Sequence, residues 1–268
     1  MTSELSELLN PFPEDSYDTP DNCPRYISDR LLFGNRFSFY ARNFYVFYKT
    51  GVCAKKGLLD AKNQISYSVE NFRIVEGCGG KIHLRGLDNL SAVNGSAILI
   101  GNHMSLLETA LFHAFLRGRR DFTFVIKESL LKVPFFGDIM RSLNAIAVGR
   151  ANPRDDFKAV MKEGKKIIES GRSIILFPQS TRSEFFDSEK FNTIGVKLAK
   201  SVKVPIIPFA LKTNFLGNGK HFRDLGPIRR DQHVHFEFAP PIEVTGNGKE
   251  THSAIMEFIQ TKLKEWNH

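Results

Sequence analysis

The chain has 268 residues, 42% of them hydrophobic and 25% charged, which is enough for a sizeable core and too apolar for a disordered chain. Its 37 Lys and Arg against 29 Asp and Glu give a formal charge of +8 at pH 7. Cys23, Cys53 and Cys78 are widely spaced and odd in number, which excludes a disulfide scaffold and a paired-cysteine metal knuckle and points to a reducing compartment.

Residues 1–24 read as an acidic, Pro-rich tail. They hold Glu4, Glu7, Glu14, Asp15, Asp18 and Asp21 and none of the basic residues, so the remaining chain carries +14. A body that basic attracts an anionic partner: nucleic acid, an anionic membrane surface or a phosphorylated substrate. The first residues show neither a basic nor an apolar leader region, and no secretory signal is read there. No uncharged apolar run reaches the roughly 18–20 residues that span a bilayer. The expectation is a cytoplasmic protein, at most peripheral on the cytoplasmic face of a membrane.

Residues 25–76 read as a helical segment suited to membrane docking. From Arg30 to Lys49, the residues Phe33, Phe37, Tyr40, Phe44, Phe47 and Tyr48 recur at helical spacing, interrupted by Arg36 and Arg42. Such a stripe fits an amphipathic helix lying in the membrane interface, with its rings at headgroup depth and its arginines near lipid phosphates. It fits equally a helix packed on the main domain. A second helix is expected at about Leu58–Ile74, ending at the Gly77-Cys78-Gly79-Gly80 break.

Residues 77–268 alternate strand and helix. Strands are expected at Lys81–Arg85, Ala97–Gly101, Phe122–Ile126, Asn144–Val148, Ser173–Phe177, Val204–Leu211 and His233–Phe238. Helices are expected at Ser105–Leu116, after the Asn152-Pro153 start signal, and at about Ser253–Trp266. The alternation predicts an α/β fold with a largely parallel sheet flanked by helices, preceded by an N-terminal amphipathic helical segment. The two GNGK stretches, 217–220 and 246–249, read as turns.

Two strand ends carry the candidate chemistry. In Gly101-Asn102-His103-Met104-Ser105-Leu106-Leu107-Glu108, an apolar strand runs into His103 and then a helix, the place where open α/β sheets build their sites. His103 suits general-base work near neutral pH, with Glu108 as the acid that orients it. Two plainer readings stand beside this one: a satisfied structural histidine, and Glu108 as the far member of an S-x-x-E capping box. In Phe177-Pro178-Gln179-Ser180-Thr181-Arg182-Ser183, a strand opens into a polar loop whose Arg182 can grip phosphate oxygens bidentately, or simply pair with Glu184 or Asp187. Arg150 closes another strand-like run and is placed to converge with Arg182. His233 and His235 alternate on a strand with no third ligand apparent, so no metal is expected. No zinc-finger or aromatic RNA-binding pattern is present, so nucleic acid is not expected as a partner.

Together these segments resemble the glycerolipid acyltransferase family that includes lysophosphatidic acid acyltransferases. His103 and Glu108 match its H-x4-D/E motif; Lys127 to Gly137 resembles the block leading to its second motif, with Arg150 at that motif's basic position. Phe177–Ser183 resembles FPEGTRS, and Val204–Pro208 resembles the fourth motif, all in family order over residues 80–240. Gln179 stands where the family usually has Glu, and Ser180 where it has Gly.

The resemblance implies transfer of a fatty acyl group from an acyl thioester, acyl-CoA or acyl carrier protein, to the hydroxyl of a lysophospholipid such as 1-acylglycerol-3-phosphate. It implies His103 as general base and Glu108 as its partner. Arg150, Gln179, Ser180, Thr181 and Arg182 would then bind the acceptor, with backbone N–H groups after His103 available to an oxyanion. No cofactor is implied, and no G-x-S-x-G turn offers an acyl-enzyme nucleophile. The partners implied are an anionic membrane surface, the lysophospholipid acceptor and an acyl carrier protein. Glycerol-3-phosphate or another lyso-lipid as acceptor, and a non-catalytic phospholipid-binding module, are the competing readings.

Overall fold

In the computed structural model, which describes residues 8–219 and 225–267, the apolar runs become the strands of a single 8-stranded sheet. These are β1 (Tyr17–Asp18), β2 (Ile82–Arg85), β3 (Ile98–Gly101), β4 (Phe122–Lys127), β5 (Ile146–Val148), β6 (Ser173–Leu176), β7 (Ile206–Lys212) and β8 (Val234–Phe238). Their order is β1-β2-β8-β7-β3-β6-β4-β5. Strands β7, β3, β6, β4 and β5 all run parallel. Strands β2 and β8 run parallel to each other and antiparallel to β7, and β1 closes the edge antiparallel to β2. Every residue of β3, β6 and β7 is buried, as expected for strands covered on both faces.

The helices are α1 (Ile27–Leu31), α2 (Arg36–Lys55), α3 (Ala61–Gly77), α4 (Leu107–Phe115), α5 (Phe136–Ser142), α6 (Pro153–Glu169), α7 (Ile194–Val202) and α8 (Lys249–Glu265). Helix α4 lays Phe112 and Phe115 on Phe124, Phe209, Phe236 and Phe238. Helix α3 packs on α4, and α2 packs on α3 and α5. The opposite face takes α6, α7 and α8. Gly164 and Gly195 allow that close approach, because a Cβ at either would meet Leu198 or Ile100. Asn152 caps α6 by accepting from the Arg154 N–H at 3.0 Å, with Pro153 in the first turn.

The N-terminal tail departs from the expectation. Glu4 and Glu7 lie outside the described residues, but from Leu8 onward the tail is part of the fold. Phe12 is buried against the rings of Phe72 and Tyr17, at 4.7 and 4.9 Å. Asp18 meets Arg85 at 2.8 Å and His83 at 2.6 Å, and Arg119 donates to the carbonyls of Pro13 and Glu14. Asp18 and Asp21 thus meet basic groups of the body.

The aromatic stripe is also divided. Phe33 and Gly34 take left-handed φ values of 52° and 68°, which ends α1, and Asn35 then caps α2 by accepting from the Phe37 N–H. Phe33 therefore drops out of the helix and stands 98% exposed. Within α2, Phe39, Tyr40, Val46, Gly51 and Ala54 turn inward, while Phe37, Phe44, Tyr45 and Tyr48 remain exposed. Arg36 donates to the Leu225 carbonyl, and Arg42 donates to Ser28 with its guanidinium 4.0 Å over the Tyr26 ring, so Arg42 faces the protein. Helix α3 begins at Ala61 because Asp60 caps it, accepting from the Asn63 N–H at 2.8 Å. Among the described residues no helix is long and apolar enough to cross a membrane. Of the first GNGK stretch, Lys220 lies outside the described residues; the second leads into α8 through Gly246 and Gly248, both at positive φ.

Candidate active site

Strands β3 and β6 are neighbours, so the segments leaving their carboxyl ends lie side by side. The first carries His103 and the second carries residues 177–183. Gly101 ends β3 where only hydrogen fits, because a Cβ would enter the Phe209 ring and carbonyl. Asn102 then extends the sheet: its amide donates to the Leu211 carbonyl at 2.8 Å and accepts from the Leu211 N–H at 2.9 Å. The His103 N–H donates to Gln179 Oε1 at 3.1 Å, and the Ser183 N–H donates to the His103 carbonyl at 2.9 Å. The imidazole stacks on Phe177, centroids 4.2 Å apart and planes 20° from parallel. Position and ring plane of His103 are therefore both set before any substrate arrives.

Glu108 stands in the first turn of α4, fully buried. Its Oε2 lies 2.6 Å from His103 Nδ1. Its Oε1 accepts from the N–H groups of Met104 (3.1 Å) and Ser105 (2.6 Å) and from the Thr213 hydroxyl. The Ser105 hydroxyl accepts from the Leu107 N–H at 3.1 Å and donates to Thr213 at 3.0 Å. The capping box and the histidine clamp are thus one carboxylate, one oxygen for each duty. With Glu108 accepting the Nδ1 proton, His103 presents Nε2 as a lone pair, the form a general base needs. His103 keeps 18% of its side chain exposed. The Met104 and Ser105 N–H groups are taken by Glu108, which removes them as donors to an oxyanion.

His103, Arg150 and Arg182 line one cavity of about 280 Å³, whose apolar wall includes Phe44 and Phe47 of α2 and Leu130, Val133 and Phe136. Arg150 sits past β5 at φ 62°, its N–H held by Asp156 at 3.0 Å. Thr181, Arg182 and Gln179 line an adjoining space of about 410 Å³. Ser180 lines a smaller recess of about 70 Å³ beside Arg150. Glu184 is held by Arg229 at 2.6 Å and Asp187 by Lys190 at 2.7 Å, so these two carboxylates have ion-pair partners other than Arg182.

The structure therefore brings His103, Arg150 and Arg182 around one space, with Glu108 buried behind His103. Gln179 borders the space lined by Thr181 and Arg182, but it is buried and its side-chain oxygen is engaged by the His103 backbone. Ser180 takes φ 61°, a left-handed conformation that suits glycine, so the departure from the family pattern falls where a side chain is strained. Sequence reasoning missed Thr213, which no local pattern marks, and the stacking role of Phe177, which the aromatic opening of the FPQSTRS stretch could have signalled.

A family model described as Acyltransferase matches residues 81–212. The chain is 26% identical to a 1-acyl-sn-glycerol-3-phosphate acyltransferase of Pseudomonas aeruginosa over 205 residues, covering 76% of this chain and 74% of that protein. A protein of the same name from Borreliella burgdorferi is 30% identical over 134 residues, 50% of this chain and 52% of that one. A chloroplastic one from Arabidopsis thaliana is 26% identical over 140 residues, 52% of this chain and 37% of that one. For these last two, the match spans about half or less of the relative's length. Among solved structures, the 1-acyl-sn-glycerophosphate acyltransferase PlsC of Thermotoga maritima shares the fold, with a TM-score of 0.67 at 19% identity, over 89% of this chain and 96% of that one.

Proposed function

Because the chain belongs to the glycerolipid acyltransferase family and is an O-acyltransferase of phospholipid biosynthesis, we propose that it moves a fatty acyl group from an acyl thioester to the free hydroxyl of a 1-acylglycerol-3-phosphate. The observation that carries this reading is the His103–Glu108 pair, its Nε2 at the edge of a cavity that is apolar on one side and holds Arg150 and Arg182 on the other.

On this reading, His103 Nε2 takes the acceptor's hydroxyl proton as that oxygen attacks the thioester carbonyl. The tetrahedral intermediate collapses, the C–S bond breaks, and the imidazolium returns the proton to the departing thiolate. Glu108 holds the ring and stabilises its positive form. Positioned proton transfer of this kind is worth about 10²–10⁴-fold. Arg182, with Arg150 and Thr181, holds the acceptor's phosphate and so orients the hydroxyl. The thioester supplies the activated acyl group, from acyl-CoA or acyl carrier protein, and the chemistry calls for no cofactor.

The same reading gives the exposed rings of α2 a purpose. Phe44 is at once half exposed and part of the wall of the His103 cavity, so a lipid leaving a membrane at α2 enters the site directly. We assign Phe33, Phe37, Phe44, Tyr45 and Tyr48 to the interface of an anionic membrane, on its cytoplasmic face, with the aromatic rings doing most of the docking.

The test is a panel of acceptors, lysophosphatidate, glycerol-3-phosphate and other lyso-lipids, each offered with one labelled acyl thioester. Lysophosphatidate should give the highest turnover, and His103→Ala should abolish it with folding intact. Lysophosphatidate binding without turnover would make the chain a phospholipid-binding module, and undiminished turnover in His103→Ala would remove the proposed base.

A further inference from the structure

We propose that His83, His233 and His235 form a binding site for a single transition-metal ion of borderline softness, zinc being the representative, on the sheet face opposite α4. Sequence spacing offered two of these ligands and no third. The third comes from the pairing of β2 with β8, which sets His83 directly beside His235. His233 lies two residues before His235 and so projects on the same side of its strand. That side is the α8 side, because His235 alternates with Phe236, which faces α4, and stacks on Trp266 at 4.9 Å.

The geometry is close to that of a chelate. One ring nitrogen from each histidine lies within 4.8 Å of the others. His83 Nε2 and His233 Nδ1 are 2.9 Å apart. Zinc–imidazole bonds of about 2.0–2.1 Å at tetrahedral angles place ligand nitrogens about 3.3–3.4 Å apart. The first pair needs to open slightly and His235 to swing in by up to about 1.5 Å, small rotations for side chains of which His233 is exposed and the other two half-buried.

The surroundings prepare the ligands. Asp18 Oδ1 lies 2.6 Å from His83 Nδ1, the carboxylate–histidine arrangement that fixes the tautomer and turns the Nε2 lone pair toward an ion. The nearby cations are engaged elsewhere: Lys212 on the Trp266 carbonyl, Lys81 on the Pro20 carbonyl, Arg85 on Asp18. An ion here would fasten the N-terminal strand, β2, β8 and the end of α8 together.

The experiment uses the full chain without a polyhistidine tag, stripped of metal and titrated with Zn²⁺ by calorimetry and with Co²⁺ by visible absorption. The expected result is one ion per chain at micromolar affinity, the d–d bands of a tetrahedral cobalt site, and a melting midpoint raised by about 5–10 °C at a hundredfold excess over Kd. His233→Gln, at the exposed ligand, should weaken binding by at least tenfold while melting like the wild type without metal. Asp18→Asn should weaken it by about tenfold or more. Binding that survives His233→Gln unchanged, or the absence of both cobalt bands and a thermal shift at millimolar metal, would overturn the proposal. Acyl transfer by the metal-free chain is unaffected in either case.

Discussion

Glu108→Gln separates the two duties of one carboxylate. The amide keeps the shape of the side chain, and its oxygen can still accept from Met104, Ser105 and Thr213. Those bonds fall from charge-assisted to neutral strength, a loss of about 1–3 kcal/mol in all, or a fall of roughly 3–10 °C in melting midpoint. The other amide atom is an N–H donor aimed at His103 Nδ1, 2.6 Å from the present Oε2. Nδ1 must then accept, which moves the imidazole proton to Nε2, the atom that has to take a proton in catalysis. Removing the base in this way should lower kcat by about 10²–10⁴, or about 3–5 kcal/mol of barrier. The acceptor KM should stay within about threefold, because Arg150 and Arg182 are untouched. Initial rates with a labelled thioester across acceptor concentrations, beside a melting curve, read all three quantities. A variant within about fivefold of wild-type kcat would refute the tautomer argument and with it the role given to His103.

Arg182→Ala should raise the acceptor KM by at least tenfold and change kcat much less; an unaltered KM for lysophosphatidate takes Arg182 out of the phosphate site. Replacing both Phe33 and Phe37, 98% and 68% exposed, by Ser should weaken flotation with anionic vesicles at least tenfold while turnover of a soluble short-chain acceptor holds, and equal flotation counts against docking through this segment. Burial pushes the His113 pKa down to about 3, so below about pH 6.5 the unfolded chain takes up a proton that the folded chain refuses, and stability is lost as the pH falls. Between pH 7.5 and pH 5 this site should cost about 2 kcal/mol in urea unfolding; His113→Phe should remove that part of the decline, and an unchanged slope would show that His113 is not responsible.

Local signals made much of the site legible. AILIG and SIILF are short apolar runs bounded by polar breaks, and they become β3 and β6, buried throughout. His103 and Glu108 follow one such run within a capping pattern, so both the helix start and the His–Glu contact are legible in a single octapeptide. Features that depend on distant partners were not. Strand β1 is two residues long and exists only because β2 offers a free edge. The break at Phe33-Gly34 depends on left-handed backbone that periodicity does not register. Helices α5 and α7 start without a side-chain capping hydrogen bond at Phe135 or Thr193, so no start signal marks them in the sequence. Thr213 reaches Glu108, and His83 reaches His233, across separations of 105 and 150 residues, which no spacing rule spans.

The hydrogen bonds that the His103 main chain makes with the Gln179 side chain and the Ser183 N–H have a consequence for selectivity under the proposed function. They tie the His103 main chain to the loop bearing Arg182, while Glu108 and the Phe177 ring hold the imidazole, so the spacing between that ring and the loop is set by the fold. If the proposed function holds, such a spacing works as a gauge that sorts acceptors first by the number of bonds between hydroxyl and phosphate, and only then by their tails.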